Sequence, residues 1–235
     1  MKPSHLLTLF IAFLLVYDQV QIFRLKRRPD PAAKLATYAR IMAGLWLATA
    51  GAFAIMGRGL WTVQLAPTEA NWIPGRAVLL AMVVASLTAM LVPVVAKRNA
   101  KAAAAIGRRL NELGYLLPQN ARERVWWALL SLTAGICEEC VFRSFLFHYL
   151  HVDPWRLGIA ASLALACVIF ALGHLYQGVK AAAATGLLAV MFFGFFLSTG
   201  NLLLSIVLHA LADLRILLLW PPARVDAERT AQISC

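Results

Sequence analysis

Seven apolar runs alternate with short polar or basic segments along the chain, at about 5–23, 38–57, 77–96, 125–149, 157–176, 181–199 and 201–220. Each is compatible with the roughly 17 to 25 residues that an α-helix needs to cross bilayer hydrocarbon. The pattern predicts an all-α polytopic membrane protein of about seven transmembrane helices. Lys2 and the run from Leu6 to Val16 have the look of a signal peptide. No small-residue cleavage site follows, however, and the run meets Asp18 and then Arg24-Leu25-Lys26-Arg27-Arg28, so a retained helix is expected. Segment 97–124 is basic and alanine-rich. It reads equally as a solvated loop or as an interfacial helix with Ile106, Leu110 and Leu113 on one face and Arg108, Arg109 and Glu112 elsewhere.

The polar residues that interrupt this pattern are more informative than the pattern itself. Glu138-Glu139-Cys140-Val141-Phe142-Arg143 puts two carboxylates and a guanidinium inside the fourth span. Ionisable groups at that depth cost about 2.5 to 3.5 kcal/mol each on insertion scales and by default mark a functional site. Glu139 and Arg143, four residues apart, share a helix face, which makes a buried ion pair available. Glu138 is turned about 100° from Glu139 and is free to face a cavity as the reactive carboxylate. Phe170 and His174 on the fifth span, and His209 and Asp213 on the seventh, repeat the four-residue spacing. Asp213 is there placed to hydrogen-bond the His209 ring nitrogen not used in chemistry. A lone histidine of this kind is ordinary interhelical packing. Five desolvated polar groups on three spans are hard to retain as packing alone. Asp18 stands outside these motifs, either as an interfacial residue, the expected reading, or as part of a polar approach to the site.

Composition agrees with the spans. Hydrophobic residues make up 61% and charged residues 14%, well below the roughly 25% charged of soluble domains. The net charge of +11 does not indicate nucleic acid, because the basic residues flank the spans instead of forming one face. With the N-terminus outside, inward segments hold 17 of the 22 Lys and Arg and outward segments four, with Arg143 within the membrane. The positive-inside rule then predicts N-out, C-in. Trp126 and Trp127, and at the outward boundaries Trp61, Trp72 and Trp155, suit interfacial belts. Cys137, Cys140 and Cys167 read as small packing residues, since no second CxxC or soluble redox context accompanies them. Cys235 is the last residue, so the tail is no prenylation box.

The three motifs, EExxxR at Glu138, Glu139 and Arg143, FxxxH at Phe170 and His174, and HxxxD at His209 and Asp213, resemble those of the CAAX-protease and bacteriocin-processing (CPBP, or Abi) intramembrane proteases. That family includes the Ras-converting prenyl-protein endoprotease. Leu175-Tyr176-Gln177-Gly178 also looks like bacterial members. The organisation expected is an N-terminal three-span region at 1–124, a CPBP-like core at 125–220 with its site on spans four, five and seven, and a short tail at 221–235. The resemblance implies an endopeptidase of a bacterial inner membrane, acting on a peptide or protein substrate that reaches the bilayer, with no nucleic-acid partner. By analogy Glu138 is the general base that activates water, assisted by His174. Arg143 holds Glu139, and His209 with Asp213 binds a metal or the developing oxyanion. Glu138, His174, His209 and Asp213 form the donor set for zinc or another divalent ion; no organic cofactor is implied. The absence of an HExxH helix leaves metal participation open. An ionised Asp213 cannot donate to an oxyanion, which favours its orienting His209 or ligating a metal. The rival functions are a transporter or receptor using the buried charges as an ion relay, a haem protein ligated by His174 and His209, and a silent scaffold. No internal repeat supports the first, and Glu138-Glu139 is left unexplained by the second.

Overall fold

The computed structural model describes residues 1–63 and 65–219. The expected tail 221–235, with Cys235, and the side chain of Arg109 lie outside the described residues. Local signals set the helix boundaries. α1 (Pro3–Arg27) and α2 (Pro31–Met56) form an antiparallel hairpin. The Asp30 side chain accepts from the Ala33 N–H at 2.6 Å and Pro31 opens α2, a pairing of cap and first-turn proline that suits the unsatisfied N–H groups of a helix start. A 3₁₀ turn (Gly57–Trp61) extends α2 and a second follows at Pro67–Trp72. α3 (Arg76–Ala96) leads to α4 (Ala100–Asn111), capped by the Asn99 side chain. Segment 97–124 therefore contains a helix, as one of its two readings had it.

Asn120 caps α5 (Ala121–Glu138) by accepting from the Glu123 N–H. The chain then continues as a π-helix (Glu139–Leu146) and α6 (Phe147–His151). α7 (Ile159–Gly173), a 3₁₀ turn (Leu175–Gln177), α8 (Val179–Thr199), α9 (Leu203–Leu214) and α10 (Ile216–Leu219) complete the described chain. Gly200, at φ +71°, closes α8 in a left-handed conformation that favours glycine.

All seven predicted spans fall on helices, and the protein is a polytopic all-α membrane protein. Among the described residues, five segments are long and apolar enough to cross a bilayer: Pro3–Arg27, Pro31–Trp61, Arg76–Ala96, Ala121–His151 and Val179–Thr199. The fifth and seventh predicted spans are shorter, with 15 residues in α7 and 12 in α9. Leu80, Leu187 and Leu203 are 65%, 74% and 68% exposed, the outward apolar surface expected of a chain solvated by lipid. Inside, Phe142, Phe145, Phe170, Phe193 and Phe196 form the centre of the main apolar cluster, which reaches Leu7 and Ile11 of α1. α5 packs tightly on α9: a Cβ added at Gly135 would lie 2.9 Å from the Ala210 backbone nitrogen and 2.8 Å from its Cβ. Such small-residue contacts let membrane helices approach closely.

Candidate active site

The site is built on the α5–π-helix junction. Glu138 is the last residue of α5 and Glu139 the first of the π segment. π-helical turns are rare and recur at functional sites; nothing in the amino-acid pattern signals this one. Glu139 and Arg143 are both fully buried, with Glu139 Oε2 3.2 Å from Arg143 Nε. The guanidinium also lies 4.2 Å from the centre of the Phe170 ring and 5.4 and 5.9 Å from those of Phe192 and Phe193. Cation–π attraction is strengthened in such a desolvated box. Phe170 was expected to share a face with His174; its contact with Arg143 adds a second task. Phe192 and Phe193 escaped the sequence reading, since α8 reads as a uniformly apolar span.

The other oxygen of Glu139 organises His209. Glu139 Oε1 accepts from His209 Nδ1 at 2.6 Å, so the expected partner of this ring is corrected: Glu139, not Asp213, holds Nδ1. Asp213 Oδ2 instead lies 3.7 Å from His209 Nε2, and Glu138 Oε2 lies 3.8 Å from the same nitrogen. Phe192 stacks on the imidazole at 5.3 Å with a 12° interplanar angle. The histidine is therefore clamped in plane and about its axis, with Nε2 presented between two carboxylates. The physical reason for the exchange is proximity. Close packing at Gly135 brings α9 against the start of the π segment, whereas Asp213 lies a turn further along α9, on the side of the cavity.

His174 does not sit within a helix. α7 ends at Gly173, and His174 adopts φ −108° and ψ 11° with its N–H on the Ala171 carbonyl. Its Nδ1–H donates to the Phe170 carbonyl oxygen at 2.8 Å. Because a carbonyl only accepts, Nδ1 carries the proton and Nε2 keeps its lone pair. The helix does not run on through Gly178; a 3₁₀ turn (Leu175–Gln177) intervenes. Instead α7 is short, about 22 Å at 1.5 Å per residue, so its end need not reach the far edge of a hydrocarbon layer roughly 30 Å thick.

Two cavities meet at these groups. The larger, about 270 Å³, is walled by Glu138, His174, His209 and Asp213, with Trp127 and Phe192 beside them. The smaller, about 110 Å³, lies between α1, α2 and α7 and is bordered again by Glu138 and His174. Glu138 Oε2 is buried with no hydrogen-bond partner, an unsatisfied carboxylate at the junction. Asp18, expected at the interface, lines the smaller cavity and pairs with Arg40 at 3.3 Å. Its neighbour Gln19 donates to the Leu172 carbonyl at 2.6 Å, tying α1 to the last turn before His174.

One wall of the larger cavity is fixed by a buried cluster that the sequence reading missed. Lys34 of α2 donates to Glu123 of α5 at 2.8 Å and to the Leu117 carbonyl at 3.0 Å, while Gln119 N–H and Asn120 also donate to Glu123. The Tyr38 hydroxyl donates to the Leu116 carbonyl. Leu116 and Leu117, which line that cavity, are thereby held in place.

Glu138, His174, His209 and Asp213 thus face one cavity. As a metal site they do not fit as placed: among the described residues, no group of three or more His, Cys, Asp or Glu side chains is positioned to hold an ion. Residues 120–215 match the family described as type II CAAX prenyl endopeptidase, Rce1-like. The match shows a likeness to that family over this segment, less than half of the chain. It spans α5 to the end of α9, and all seven predicted site residues fall within it. No curated protein and no solved structure matches the chain. An Rce1-like domain on these apolar helices supports an intramembrane endopeptidase in general terms.

Proposed function

We propose that the protein hydrolyses a peptide bond at the cavity where Glu138, His174 and His209 meet. The observation that carries this reading is the unpartnered Glu138 oxygen, buried at the junction of both cavities and 3.8 Å from His209 Nε2. Glu138 takes a proton from water as the hydroxide oxygen attacks the scissile carbonyl carbon. The carbonyl π bond becomes the oxyanion of a tetrahedral intermediate. When the C–N bond breaks, the proton held at Glu138 passes to the departing amine, giving carboxylate and amine products. His174, with Nε2 free, accepts a hydrogen bond from the attacking water and orients it. His209, held at Nδ1 by Glu139, presents Nε2 to the oxyanion and donates to it in its protonated form. Arg143 is a positioning residue, acting through Glu139. No step here requires a metal.

The family's description names prenylated CAAX substrates. The class proposed for this chain is a peptide or protein segment that reaches the bilayer, in a bacterial inner membrane with the N-terminus out and the C-terminus in. An ion relay, the runner-up function, predicts ionisable groups strung across the membrane; the groups here gather at one cavity. Cleavage by purified protein of membrane-anchored peptides, with and without a prenyl group, tests the proposal. Glu138→Ala and Glu138→Gln are each expected to lose at least about a thousandfold in rate, a loss within the 10²–10⁴ typical of an acid–base group. Both should keep normal yield and thermal midpoint, because Glu138 Oε2 makes no hydrogen bond among the described residues. Undiminished cleavage by either variant would refute the assignment.

A further inference from the structure

The α1–α2 hairpin holds a groove of about 470 Å³ that the proposed reaction does not use. Arg24, Arg27 and Arg28 line it from the end of α1 and Arg40 from α2, over an apolar floor that includes Leu25 and Ala36. Among the described residues, no carboxylate lines it. Arg24, Arg27 and Arg28 make no ion pair among the described residues. Arg40 offers Nε to Asp18 and lies 5.4 Å from the centre of the Tyr17 ring, while its Nη2 is buried with no hydrogen-bond partner. Compensation of the α1 dipole accounts for basic residues in that helix's last turn. It does not account for Arg40, which comes from another helix and closes the opposite wall.

We propose that this groove binds the phosphate of an anionic phospholipid headgroup. Guanidinium forks match phosphate oxygens bidentately, and four of them face one space. The apolar floor suits the glycerol and upper acyl segments of the same molecule, which a free anion lacks. The groove also lies where α1 ends and α2 begins, and basic side chains at the ends of spanning helices attract anionic headgroups. The inference stands apart from the peptidase reading, since none of these arginines borders the larger, catalytic cavity.

The test uses the full chain in phosphatidylcholine nanodiscs containing phosphatidylglycerol, with retained lipid read by native mass spectrometry. Wild type is expected to retain phosphatidylglycerol over phosphatidylcholine by about tenfold or more, given the attraction of several basic side chains for anionic lipid. Arg24→Gln/Arg27→Gln/Arg28→Gln should abolish the preference. Arg98→Gln/Lys101→Gln/Arg108→Gln, equal in charge loss but outside the groove, should keep it; equal loss in both would show diffuse surface attraction and overturn the proposal. Because neutral variants also alter insertion, Arg24→Lys/Arg27→Lys/Arg28→Lys keeps the charge and removes the forks. It should insert normally yet retain severalfold less lipid, and wild-type retention would count against a built site. Displacement of the lipid by millimolar inorganic phosphate would reassign the groove to a free anion.

Discussion

The two adjacent glutamates have opposite surroundings, and this separation is the core of the site's chemistry. Glu139 is fully enclosed, with Oε1 hydrogen-bonded to His209 and Oε2 in a 3.2 Å ion pair with Arg143 that lacks hydrogen-bond geometry. Glu138, one residue earlier, leaves an oxygen unpartnered at the cavity junction. Removing Arg143 would leave Glu139 buried with only an imidazole for company. Arg143→Ala is therefore expected to destabilise the protein by about 3 to 5 kcal/mol, as for other broken buried pairs, with a lower thermal midpoint in detergent and a loss of cleavage because His209 is no longer held. A wild-type midpoint in that variant would dismiss the pair as a structural element. The donor geometry leads to a second expectation at this scale. Since no three ligating side chains converge among the described residues, dialysis against a strong chelator should leave the cleavage rate within about twofold, well inside the change expected from losing a Lewis acid. Loss of activity that zinc restores would instead show that substrate draws Glu138, His174 and His209 onto an ion.

At the level of elements, the sequence disclosed which helices matter but not how they end. The ionisable residues on spans four, five and seven pointed to the site because charge is expensive in hydrocarbon, and that signal needs no knowledge of packing. The Glu139–Arg143 pair was legible for the same reason. What stayed hidden depends on long-range contacts. The π-helical turn after Glu138 and the early end of α7 at Gly173 have no marker in hydropathy, and the use of Glu139 by His209 depends on how α9 docks. Lys34 and Glu123 read as ordinary boundary charges until the fold brings them to 2.8 Å. α1 and α2, which matched nothing beyond a generic apolar preface, supply a wall of each cavity through Ile22 and Ile41. Gly135 is where docking is decided. Its missing Cβ lets α9 come within contact of the α5 backbone, and the clash would be with main-chain atoms that cannot swing aside. Gly135→Val should cost about 1 to 3 kcal/mol as an overpacked contact and reduce cleavage by more than that loss of fold alone predicts, because it pushes His209 away from Glu139. A variant with full activity per folded molecule would mean that α9 tolerates displacement.

Over the whole molecule, contacts sort the loops into two ends without reference to charge. Lys34 with Glu123, Arg124 with the Leu217 carbonyl and Lys97 with the Leu218 carbonyl define one end. Lys2 with Asp153, His151 with Glu69, and the Val63 N–H with the Gly200 carbonyl define the other. There the Lys2 ammonium holds the exposed Asp153 carboxyl below the usual carboxylate range. The first end gathers the basic segments 24–40 and 97–124, and Leu116, Leu117 and Arg215, which line the larger cavity, belong to it. If basic loops stay on the inner side, the proposed water-activating groups are reached from the cytoplasm, and substrate ends presented there are the ones cleaved. Single cysteines decide this in a Cys235→Ser background, where Cys137, Cys140 and Cys167 are buried. Ala70→Cys and Ala104→Cys place exposed thiols at opposite ends. In intact spheroplasts a membrane-impermeant maleimide should label position 70 and spare position 104 until the membrane is permeabilised. The reverse pattern would turn the cavity outward and move its substrates to the other face of the membrane, while leaving the geometry around Glu138 unchanged.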